Sequence, residues 1–164
     1  MNQDSIKIFN KSLQALPNQL QNEVALVFEE ISQQLPDHSG SSPADLSKDT
    51  NSIYRDWISA LPAVLNASRF ISGLLRKDVT YLTELIDDGS LFTPLDTDHI
   101  TSVLTKSLTA TDDEVELMHL LRRSRNQAML QIAFRDLAGW APLDEVMSSI
   151  SRTAEVLLSA TLSC

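Results

Sequence analysis

Cysteine is almost missing from this 164-residue chain, whose one thiol, Cys164, is the last residue. That excludes an internal disulfide and fits a reducing compartment. Glycine is scarce too, and its four positions form no Walker loop, dinucleotide fingerprint or Gly-x-Ser-x-Gly elbow. No apolar run reaches the roughly 18 residues of a membrane span. Residues 1–12 are polar and lack an apolar core of signal-peptide length, so a cytoplasmic chain with no membrane contact is expected. Positive charge is in short supply: 13 Lys and Arg against 22 Asp and Glu give a net charge of −9. Such a balance opposes binding to polyanions and disfavours nucleic acid as a partner. His38, His99 and His119 lie far apart, with no His-x3-His or Cys-x2-Cys pair, so no metal site is expected. Strand-period alternation is missing throughout, which leaves helix as the one regular element.

What is present is helical periodicity, and the length suffices to bury about 70% of the unfolded surface without metal or disulfide. Phe9, Leu13 and Leu16 follow helical spacing up to Pro17, and Asn18 is the expected N-cap of a second helix carrying Leu20, Val24, Val27, Phe28, Ile31 and Leu35. Residues 1–35 therefore read as a helical hairpin. The stretch 36–51, PDHSGSSPADLSKDTN, reads as a linker from its Pro, Gly, Ser and Asp content. Residues 52–164 then form the main helical body. It starts with a helix through Trp57 and Leu61 that kinks near Pro62 and runs on through Phe70, Ile71 and Leu75. A short helix ends at Asp87-Asp88-Gly89, and Asp96-Thr97-Asp98 offers caps to the next.

The chain is organised around a long central helix from about Asp112 to Ala138, opened by a capping box of Thr111 and Glu114 and closed by Gly139. Leu117, Leu121, Ala128 and Ile132 share one stripe of its wheel, beside Met118 and Met129. Leu130, Phe134 and Leu137 lie opposite, so its second half is apolar nearly all round. The last helix repeats Val146, Met147, Ile150, Ala154, Leu157, Leu158 and Thr161. The expected fold is all-α, a multi-helix bundle of six or seven helices.

Arg122, Arg123 and Arg125 crowd the first half of the central helix with no acid at i±3 or i±4. With Arg135 they are the candidate interface or structural ion-pair residues. Arg125 lies between Met118, Leu121, Met129 and Ile132 on the wheel, so a flanking core and an acidic partner among Glu84, Asp87 and Asp88 are expected. Gly89-Ser90 with Asp96 and Asp98 has the letters of a nucleotidyltransferase site. The aspartates, however, stand before helical spacing rather than on a strand, so loop and helix cap is the reading. No catalytic, cofactor-binding or metal residue is assigned.

The run Leu121-Arg122-Arg123-Ser124-Arg125, then Met129-Leu130-Gln131-Ile132-Ala133-Phe134-Arg135-Asp136-Leu137, resembles a long helix in the bifunctional glutamine synthetase adenylyltransferase/adenylyl-removing enzymes. Ser68, Phe70 and Tyr81-Leu82-Thr83-Glu84-Leu85 resemble an earlier segment of that family, and the likeness covers roughly residues 64 to 162. Ser124, Gln131, Phe134 and Ala128 depart from the aromatic, arginine, tryptophan and glutamate usual there. The resemblance implies the N-terminal helical portion of an enzyme that adenylylates glutamine synthetase from ATP and removes the group by phosphorolysis with Mg²⁺, under PII-type proteins and glutamine. It implies that the catalytic Gly-Ser and Asp-x-Asp follow the last helix, so that residues 52–164 precede a missing nucleotidyltransferase domain and the 164 residues alone are inactive. The alternative is a free-standing cytoplasmic helical adaptor. A truncated lead-in would leave Leu130, Phe134, Leu137 and the last helix's stripe exposed, and so prone to self-association.

Overall fold

A computed structural model describes residues 3–35, 50–110 and 113–162, and side chains within them except those of 50–56 and 107–110. The described residues form eight α-helices, one short 3-10 turn and no strand, so the chain is all-α. The helices are α1 (Gln3–Leu13), α2 (Asn18–Ser32), α3 (Thr50–Ala67), α4 (Arg69–Lys77), α5 (Thr80–Asp87), α6 (Thr97–Ala110), α7 (Glu114–Leu137) and α8 (Leu143–Leu162). They fall into two compact units, 1–84 and 85–164. Of the stretch read as a linker, Thr50 and Asn51 belong to α3, and residues 36–49 lie outside the described residues.

In the first unit α1, α2 and α4 all pack on α3. Phe9 and Phe28 stack with ring centroids 3.5 Å apart, while Ile31, Leu61, Val64, Ile71 and Leu75 are fully buried. The exposed Arg76–Glu30 pair, 2.7 Å, joins α4 to α2 and adds little energy at such exposure. Two local expectations are corrected here. Pro17 occupies the N-cap of α2 and makes no side-chain cap, because Asn18 is already helical and its side chain accepts from Gln21 instead. The helix expected to run on through Phe70, Ile71 and Leu75 instead ends at Ala67: α3 includes Pro62, and the axis turns by 112° across Ser68 into α4. Ser68 makes that corner by leaving its backbone extended and accepting the Ile71 N–H at 3.2 Å.

The second unit is organised around α7, the longest described helix, which packs on α6, α8 and the 3-10 turn Ser90–Phe92. Its N-cap is Asp113, whose carboxylate accepts the Val115 N–H at 2.9 Å. The expected cap Thr111, with Asp112, lies outside the described residues. At the other end Gly139 takes φ +72°, the left-handed region. There the Trp140 N–H reaches Arg135 O at 2.8 Å and the Gly139 N–H reaches Asp136 O at 3.0 Å. This is a Schellman ending, and Trp140 completes it by packing its ring 5.6 Å from that of Phe134. Residues 138–142 then return the chain into α8.

Leu130 and Phe134, expected to be exposed on a truncated lead-in, are instead fully buried, whereas Leu137 and, from the last helix's stripe, Met147, Ile150 and Leu158 are exposed. The second half of α7 is covered on several sides, as its all-round apolar surface demands.

Candidate functional site

The polar centre of the second unit is Arg135, 5% exposed although charged. Gln131 and Ile132, one turn before it on α7, are buried as well. The guanidinium is satisfied from two directions. Nε and Nη2 donate to Glu145 Oε1 at 3.1 and 2.9 Å, and Nη1 reaches Leu91 O at 3.4 Å. One turn earlier Gln131, 3% exposed, donates Nε2 to Ser90 O at 2.7 Å and Thr93 O at 3.1 Å. Two side chains of α7 thus hold the carbonyls of the 90–93 turn. Trp140 covers the same turn, its ring 5.8 Å from that of Phe92.

Beside this pair lies a cavity of about 10 Å³ lined in part by Gln131, Arg135, Glu145 and Ser149. It has room for about one water molecule. A shallow hollow elsewhere is lined by Glu114, Val115, Met118, His119 and Arg122. All five residues stand on α7, so among the described residues it is the face of one helix.

The four arginines singled out in the sequence do not form one cluster. Arg122 is exposed, and Arg123 is half-buried and engaged. Arg125 is exposed too, and its Nη2 meets the neighbouring Asn126 Oδ1 at 3.4 Å. That contact is to an amide and not to Asp87 or Asp88 of the same unit. Of the wheel neighbours of Arg125, Met118 is 49% exposed, Leu121 and Met129 are half-buried and Ile132 alone is buried, so they do not enclose the guanidinium. Asp88 spends its carboxylate on the Ser90 N–H at 2.8 Å. The buried, paired arginine is Arg135.

Sequence reasoning did not single out Glu145, and it noted Gln131 only as a departure from the arginine usual in the resembled family. A signal for Glu145 existed: Arg135 and Glu145 stand at equal distances from Trp140, the middle of a short helix-to-helix return, where facing positions of antiparallel helices meet. For Gln131 the signal was weaker, a polar residue inside an all-round apolar segment.

The residues with the letters of a nucleotidyltransferase site make local contacts. Asp96 caps α6, its Oδ1 accepting the Asp98 and His99 N–H groups at 3.0 Å each. Gly89, at φ +78°, and Ser90 form the turn into the 3-10 segment. Among the described residues no group of three His, Cys, Asp or Glu side chains is placed to hold a metal ion. No buried side-chain N or O there lacks a partner.

Gln131→Leu tests the hold on the turn. With Thr93 O losing its side-chain donor and Ser90 O keeping only the Thr93 N–H and hydroxyl, a loss of about 1–3 kcal/mol is expected in urea unfolding. An unchanged midpoint would show that water replaces the amide without cost.

Fold and site together define a helical scaffold in which buried polar groups fix backbone. The family model for glutamate-ammonia ligase adenylyltransferase matches residues 58–164, and the chain belongs to that family. It is similar to the bifunctional glutamine synthetase adenylyltransferase/adenylyl-removing enzyme of Nitrosococcus oceani, 38% identical over 107 residues, which is 65% of this chain and 11% of that protein. The namesake from Thioalkalivibrio sulfidiphilus is 36% identical over 99 residues, 60% of this chain and 10% of its own length. That from Shewanella loihica is 27% identical over 151 residues, 92% of this chain and 14% of its own. The chain therefore spans about a tenth of the length of the curated relatives it matches. No solved structure matches it. Among the described residues no single helix is long and apolar enough to cross a membrane.

Proposed function

We infer that these residues are the helical lead-in of an enzyme that adenylylates and deadenylylates glutamine synthetase, and that the 164-residue chain alone performs neither reaction. The observation that carries this reading is the family match over residues 58–164 in a chain spanning about a tenth of its relatives' length. The site supports it. Of the groups with the letters of a nucleotidyltransferase site, Asp96 is spent capping α6 and the Ser90 hydroxyl donates to Asp88. Gln131, where the family resemblance has arginine, donates its Nε2 to both Ser90 O and Thr93 O. That departure gives no sign of a lost neighbour.

On this reading ATP, Mg²⁺ and the PII-type partner belong to the parent enzyme in the cytoplasm, and the lead-in packs beside its adenylyl-removing site. Arg122 and Arg125, both exposed, are the side chains available for contact with the remainder of that enzyme.

The test is an assay of residues 1–164 with adenylylated glutamine synthetase, phosphate and Mg²⁺. No release of ADP is expected, whereas turnover would overturn the reading. Reading the coding sequence beyond codon 164 discriminates further. An in-frame Gly-Ser and Asp-x-Asp supports the lead-in. A stop codon there, with capture of a cytoplasmic protein partner, would favour the free-standing adaptor instead.

A further inference from the structure

We draw no further inference here: the strongest candidate, the exposed apolar edge of α8 formed by Leu143, Met147, Ile150, Leu158 and Leu162, carries nothing because nothing in the structure shows what covers it.

Discussion

Glu145→Ala is expected to destabilise the second unit by about 3–5 kcal/mol, measured as a lowered midpoint in urea unfolding, because it strands a buried guanidinium. Arginine cannot shed its charge at ordinary pH. After the change Arg135, with a side chain only 6% exposed, would keep one long bond of 3.4 Å to Leu91 O. The converse change is expected to be milder. Arg135→Met leaves behind a carboxylate whose side chain is 21% exposed and can turn to water, and it fills the vacated space with an unbranched apolar side chain. Restoring balance with the double variant Arg135→Met, Glu145→Gln should recover part of the loss from Glu145→Ala. If Arg135→Met proves the costlier single change, the asymmetry argued from exposure is wrong.

Phe134→Ala should cost about 3–5 kcal/mol, the range for emptying an aromatic from a well-packed core. The ring is fully buried and packs on Trp140, which also lies against Phe92. Its removal therefore loosens both the return after Gly139 and the 90–93 turn. A second readout follows: Trp140 fluorescence should shift red as water reaches the indole. A loss under 1 kcal/mol would mean that the surrounding side chains collapse into the space.

Helical periodicity made the class of fold and most element positions legible. Gly89 and Gly139 were read as stops, and both hold the positive φ that only glycine adopts freely. The wheel failed along the helix axis rather than around it. It placed Arg125 among apolar neighbours, but periodicity cannot say how far along α7 the covering elements extend, and Met118 is half in water. On α8 it drew one stripe where the structure has a buried edge and an exposed edge. The buried edge includes Thr153, passed over as polar, whose hydroxyl is satisfied by Ser149 O at 2.7 Å and which offers its methyl to the core. The Arg135 and Gln131 bonds to the 90–93 turn depend on side-chain reach across distant sequence, which no local pattern records.

That reach has a consequence for the order of folding. The bonds from Gln131 and Arg135 join groups 38 to 44 residues apart in sequence, whereas α7 and α8 are joined by residues 138–142 alone. Closing a loop of some forty residues costs more chain entropy than closing a short return, and contacts between near neighbours form sooner. The α7–α8 hairpin is thus the natural nucleus of the second unit, with the 90–93 turn docking onto it afterwards. Substitutions at Val146 should then slow refolding, while those at Gln131 should chiefly hasten unfolding.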